Sequence, residues 1–228
     1  MKKPVVDYRE LRFSNLNEPR FSHVKLLWGW VAYFVLYFLT ENLIPLEKCH
    51  PMHMFLDDMI PFCEYFSVFY CFWYALIFGS LLYYFFYEPD NFRRLQTFIM
   101  VTQAIGMLCY ILYPTRQDLR PDFFVRDNFF TDVMAYIYSF DTSTGVCPSL
   151  HVGYSLGILS VAWKRKASPS WWKGLVLFLV IMISLSTLYV KQHSAVDVLW
   201  ALPTGLAAEW FVFRGYWKEK FNKKSKLA

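Results

Sequence analysis

Six long apolar runs constrain this chain more than any other feature of its sequence. They extend from about Leu26 to Ile44, Pro61 to Tyr87, Leu95 to Tyr113, Ser149 to Trp163, Trp171 to Val190 and His193 to Phe213. Each is close to the ~20 residues that carry an α-helix across a bilayer. In hydrocarbon the backbone must satisfy its own N–H and C=O groups, so such a run becomes a helix. The expected fold is all-α: a six-transmembrane-helix bundle over residues 24–213, with an N-terminal segment at 1–23 and a basic tail at 214–228. The first run lacks a small-residue cleavage site and more spans follow it, so it reads as a retained helix and not as a signal peptide.

Composition agrees with a membrane protein. Only 18% of the 228 residues are charged, against roughly 25% in soluble domains. The aromatic share of 21% suits belts at two lipid–water interfaces, where the Trp171-Trp172 pair would anchor. The net charge of +5 does not indicate nucleic acid, because in such proteins basic residues mark the cytoplasmic side. The N-terminal segment with the adjoining Lys25, the 88–94 and 164–173 turns and the tail share 18 of the 23 Lys and Arg residues. Lys48, Arg116, Arg120, Arg126 and Lys191 fall on the other side. Both termini are therefore expected in the cytoplasm, with the 45–61 loop, the 114–146 loop and the 191–193 corner outside.

The outer side also carries the reactive residues. Connections as long as Pro114–Val146 between spans are usually lids or binding loops, and this one holds Arg116 and Arg120. Cys147-Pro148-Ser149-Leu150-His151 follows where the fourth run begins, and His193-Ser194-Ala195-Val196-Asp197 opens the sixth. Helix N-termini offer free N–H groups to anions such as phosphate. His193 and Asp197, four apart, share a helix face, so the carboxylate can hold one ring nitrogen and leave the other to attack. Polar residues at such positions are costly unless they have a function.

In order and spacing, Arg120-Pro121, Pro148-Ser149-x-His151 and His193-x-x-x-Asp197 resemble the three motifs of the type 2 phosphatidic acid phosphatase superfamily. The similarity is greatest to its branch of inositol phosphorylceramide synthases. It covers residues 110–200 closely. The resemblance implies a metal-independent lipid phosphatase with no cofactor. In that reading His193 is the nucleophile of a phospho-histidine intermediate and Asp197 orients it. His151 is the general acid and then the base, and Arg120, Ser149 and the amides near Leu150 hold the phosphate. Two departures stand out. Tyr113 replaces the Lys that usually opens the first motif, with Arg116 a substitute. Thr187 follows Ser186 where the third motif usually has Arg, and Lys191 is the nearest outward cation.

Other polar residues have simpler readings. His50, His53, Asp57 and Asp58 read as a solvated loop in preference to a metal site, Glu209 as interfacial, and Glu64 as interfacial or site-lining. The five cysteines show no metal spacing; Cys71 and Cys109 read as core residues, and whether Cys49 and Cys63 pair stays open. The expected protein is thus a multi-pass membrane enzyme acting on a lipid phosphate or diphosphate at the extracytoplasmic face, without nucleic-acid partners. The main rival is a phosphotransferase passing the phosphoryl headgroup to a lipid alcohol. A non-catalytic lipid-binding or transport protein is disfavoured by the oriented His193. Which lipid it uses, and its oligomeric state, are not legible.

Overall fold

A computed structural model describes residues 4–216. Residues 1–3 and most of the expected basic tail, 217–228, lie outside the described residues. Among the described residues eight α-helices form in chain order: α1 (Trp28–Leu43), α2 (Phe55–Met59), α3 (Ser67–Tyr87), α4 (Pro89–Leu112), α5 (Phe129–Phe140), α6 (Leu150–Lys164), α7 (Ser170–Tyr189) and α8 (Ala195–Glu209).

Among the described residues, five helical stretches are long and apolar enough to cross a membrane: Ser22–Leu43, Glu64–Tyr87, Pro89–Leu112, Ser170–Tyr189 and Ala195–Arg214. The fourth expected run forms α6, only 15 residues long, or about 22 Å at 1.5 Å per residue. It nevertheless joins the two ends of the bundle. Its first turn lies beside His193 of the α7–α8 corner. At its other end Arg165 pairs with Glu88 between α3 and α4, and Lys164 with Glu209 at the end of α8. Neighbours rather than lipid surround it, so it can be short and still carry polar residues at both ends.

Small residues let those neighbours approach. A Cβ on Gly157 of α6 would meet the Phe98 ring of α4 at 2.7 Å, and one on Gly205 of α8 would meet Leu156 at 2.7 Å. Close approach of this kind supplies the dispersion contacts that hold helices together where lipid is as apolar as the side chains. Tyr154, Ile158 and Val161 of α6 are buried in the resulting core with Leu95 and Ile99 of α4 and Ile183 of α7. Outward-facing Phe38, Phe178 and Leu206 stay exposed, as a lipid-facing surface requires.

Helix boundaries differ from the expected runs in one instructive place. The polar 88–94 stretch is not a loop. Pro89 takes the first position of α4, where its missing N–H costs nothing, and Arg93 bonds Asp90 one turn back. Glu88 alone forms the corner.

The connections are also more structured than their sequences suggest. The 114–146 segment contains α5, capped by Asn128 and buried along Thr131, Met134 and Ile137. Short strands β1 (His50–Pro51) and β2 (Thr115–Arg116) pair in parallel, and Arg116 bridges antiparallel to Thr144. This small sheet ties the 45–61 and 114–146 connections together. Gly145, at φ +60, makes the turn that sends the chain from this sheet into α6, a backbone conformation glycine adopts without strain. Cys49 and Cys63 are free thiols.

Candidate active site

The site forms where the first turns of α6 and α8 meet. The α7–α8 corner is fixed from several sides. Thr187 O accepts both Gln192 N and His193 N, at 3.0 and 3.1 Å, while Lys191 adopts φ 52. Tyr138 donates to Val190 O at 2.6 Å. The Lys191 ammonium is buried and donates to the carbonyls of Asp57 and Ile60; burial lowers its pKa. Ser194 then caps α8. Its hydroxyl accepts Val196 N, and Asp197 Oδ2 returns to Ser194 N at 2.9 Å, a capping box.

That same Oδ2 lies 3.3 Å from His193 Nδ1. Asp197 is wholly buried and His193 only 7% exposed. An N–H on Nδ1 directed at this carboxylate leaves the Nε2 lone pair free. Nε2 in turn lies 3.4 Å from His151 Nδ1. The three side chains therefore form a continuous row: Asp197, His193, His151.

His151 is held in place by its surroundings. Trp73 Nε1 and Ser155 Oγ both donate to its carbonyl, at 3.0 and 2.7 Å. Its ring lies against Trp73 and Tyr70, with centroids 4.2 and 4.8 Å away. Among the described residues, the buried His151 Nε2 and Ser149 Oγ have no hydrogen-bond partner. An unsatisfied buried hydroxyl is costly, and Ser149 sits beside the free N–H groups of the first turn of α6. Ser149 N itself donates to Asp197 O at 3.1 Å, joining the two helix starts. Tyr110 donates to Pro148 O, and Thr115 Oγ1 accepts the amides of Val146 and Cys147. Burial, and then the charge of Asp197, raise the Cys147 thiol well above its ordinary range.

The other residues singled out from sequence lie further off. Arg120 stacks over the Tyr138 ring at 4.5 Å. Its guanidinium donates to the carbonyls of Asp141 and Thr142 and to Gln192 Oε1, the last at 2.6 Å. It thus touches the residue next to His193. Its buried Nε has no partner among the described residues. Arg116, in β2, pairs with Asp118 and with the carbonyls of Leu46 and Cys49 just before β1. Leu150, the first residue of α6, is buried and fills the space Gly106 leaves on α4.

Two further acidic residues belong to this region: Asp57, which the sequence places in a solvated loop and which is instead buried, and Asp141, which the sequence analysis does not single out. Asp57 is 4% exposed. Its carboxylate accepts Ala195 N at 2.8 Å, the Ser194 hydroxyl, and Met54 N at 2.8 Å. One side chain thereby caps both α2 and α8. Asp58, in contrast, pairs with His53 at the surface, and His50 stacks on Tyr113. Asp141 accepts Gln192 Nε2 at 3.1 Å and the Tyr70 hydroxyl at 3.4 Å. Burial raises its pKa, opposed by the charge of Arg120. Glu64 does not reach the histidines: Arg126 holds it with two bonds of 2.6 and 2.8 Å, and Asn128 adds a third. Glu209 pairs with Lys164 at the opposite end. Among the described residues no three His, Cys, Asp or Glu side chains group as a metal site.

A family model described as the PAP2 superfamily matches residues 94–221. That stretch is more than half of the chain and contains the whole row from His151 to Asp197. The chain belongs to the PAP2 superfamily. Its members are phosphatases and phosphotransferases acting on phosphate esters. The match starts in α4 and takes in Arg120, Ser149, His151, His193 and Asp197, while Asp57, Glu64 and the whole of α1 to α3 lie outside it. No curated protein and no solved structure matches the chain.

Proposed function

We propose that this protein is a membrane phosphatase that hydrolyses a lipid phosphate or diphosphate through a phospho-histidine, without a metal. The observation that carries the reading is the buried row Asp197–His193–His151 beside the unsatisfied hydroxyl of Ser149. Asp197 keeps the proton on His193 Nδ1, so Nε2 attacks phosphorus. As the P–N bond forms, the P–O bond to the lipid alcohol breaks and His151 donates the proton that the leaving oxygen takes. Water, deprotonated by His151, then attacks phosphorus, and the P–N bond breaks to release phosphate and restore His193. Ser149 and the first amides of α6, at Leu150 and His151, hold the phosphoryl oxygens, as a helix N-terminus does for anions.

Arg120 joins them by exchanging a carbonyl partner for phosphate. Lys191 and Arg116, both bonded to backbone carbonyls elsewhere, serve the site as supports or re-aim on binding. Six spans, with α6 as the short fourth, would place both termini in the cytoplasm and the site on the outer face, where the Lys and Arg asymmetry puts it.

A second reading, transfer of the phosphoryl headgroup to a lipid alcohol, is favoured by one feature. The histidines open onto an aromatic cavity of about 890 Å³, a place where an alcohol held beside His151 would compete well with water. Thr187, in place of the usual Arg, and the synthase-like branch accord with it. The deciding experiment is phosphate release by purified protein in detergent with EDTA, over a panel of lipid phosphates and diphosphates with and without diacylglycerol or ceramide. Free phosphate that depends on His193 supports hydrolysis. A new phospholipid in the acceptor lanes replaces it with transfer, and activity abolished by EDTA overturns the metal-free mechanism.

A further inference from the structure

The cavity that ends at His151 and His193 is not confined to the site. It fills the space between α1, which packs on α4, and α3. On α3 its wall is a stripe at helical spacing, Tyr70, Tyr74, Ile77, Leu81 and Phe85; on α1 it is Trp30, Phe34 and Tyr37. From Tyr70 to Phe85 is about 22 Å of helix at 1.5 Å per residue. One bilayer leaflet is only about 15 Å of hydrocarbon, half of the ~30 Å core. The groove therefore continues past the midplane. Its far end is closed: Phe92 meets Phe85 edge-on at 5.1 Å, and Tyr8 of the N-terminal segment stacks on Phe85 at 5.0 Å and donates to its carbonyl. Its flank is open, since Phe34 and Phe78 are 59% and 66% exposed.

Resting on the phosphatase reading above, we propose that this groove receives the hydrocarbon chain of the substrate along its whole length. The site is thereby matched to phosphates of lipids with one extended chain longer than a single leaflet. The polar end sits beside His193, where Asp141, Thr142, Thr144 and Gln192 also line the cavity, while towards Phe85 the wall is Ile77, Phe78, Leu81, Leu82 and Phe86. A chain anchored there and running down α3 reaches the Phe85–Phe92 floor. Because the surrounding lipid is equally apolar, shape and dispersion set the preference, not removal from water. Linear alkyl and isoprenyl chains share this chemistry.

The test uses the full chain in nanodiscs and hexadecyl phosphate carrying a diazirine either beside the headgroup or at the chain terminus. The near-head probe should cross-link at Tyr70–Tyr74 and the terminal probe at Leu81–Phe86. Both signals should be competed away by unlabelled hexadecyl phosphate, or by an isoprenyl phosphate of matching length if that is the better occupant. Leu82 lines the lower groove and is 42% exposed, so Leu82→Trp should narrow the groove with little effect on folding. We expect it to abolish the terminal-probe signal and to lower kcat/KM for hexadecyl phosphate about tenfold while leaving decyl phosphate within about twofold. Terminal cross-links on the outward face of α7, or a pattern unchanged in Leu82→Trp, would overturn the proposal. If no phosphate is released from any substrate, the phosphatase reading falls, and the cross-linking pattern still decides for or against the groove.

Discussion

His193 Nε2 and His151 Nδ1 face each other directly across 3.4 Å. In-line transfer places phosphorus between the attacking atom and the leaving oxygen, and the acid must stand beyond that oxygen. The gap is too short for this, so the two rings must part when a phosphate enters. His193 is fixed by Asp197 and by the Thr187 carbonyl, whereas His151 Nε2 has no partner among the described residues. In the proposed mechanism His151, packed on Trp73 and Tyr70 but without a bond at Nε2, is the ring expected to turn.

Asp197→Asn should preserve the helix start but remove the charge that fixes the His193 tautomer. We expect kcat to fall by about 10³-fold or more, with KM little changed. Steady-state kinetics on the substrate found by the phosphate-release panel measures both. An unchanged kcat would remove Asp197 from the mechanism.

Asp57 caps the start of α8, next in the chain to His193. Asp57→Ala strips caps from Met54 N and from the Ser194–Ala195 turn, a loss of about 1–3 kcal/mol. Melting temperature and kcat should both fall. Asp57→Asn, which keeps one acceptor, should restore much of the melting temperature. Equal values for wild type and Asp57→Ala would refute the double cap.

Asp141 supplies a pH dependence. Burial raises its native pKa above the ordinary value of about 3.9. The folded protein then holds this proton more tightly than the unfolded chain, and stability drops as pH rises through the native pKa. Asp141→Asn removes that loss. Its melting temperature should exceed wild type near neutral pH and converge with it in acid, where the wild-type carboxyl is protonated. Parallel curves would contradict the assignment.

Arg126 is 57% exposed by side chain, but its partner Glu64 is only 1% exposed. Arg126→Ala leaves the Glu64 carboxylate with Asn128 as its remaining side-chain partner, and the melting temperature should fall. Glu64→Gln in the same background should recover part of the loss, because a neutral amide tolerates burial better. Thermal unfolding of the single and double variants measures this.

The long helices are legible in the sequence because lipid leaves an apolar run few alternatives, and hydropathy alone locates α1, α3, α4, α7 and α8. The length of α6 is less legible: it depends on being enclosed by neighbours, which Gly157 and Gly205 hint at only once Phe98 and Leu156 are seen against them. Helices α2 and α5 lie in segments that read as loops, because both are short and depend on distant contacts. Asp57 was one of several loop charges, and its partner is 137 residues away. The His193–Asp197 spacing is local and can be read directly. The approach of His151 comes from folding, across 42 residues. Lys191 reads from sequence as an outward cation, yet the carbonyls that hold it lie in and just after α2, more than 130 residues away.

The most direct test of the central claim is chemical trapping of the intermediate. Purified wild type, His151→Ala and His193→Ala would be mixed with a lipid substrate labelled at phosphorus and quenched in alkali, where phospho-histidine survives. The mechanism predicts an acid-labile label on His193 that accumulates in His151→Ala, is faint in wild type and is absent from His193→Ala. Continued turnover by His193→Ala, or a label on another residue, would contradict it.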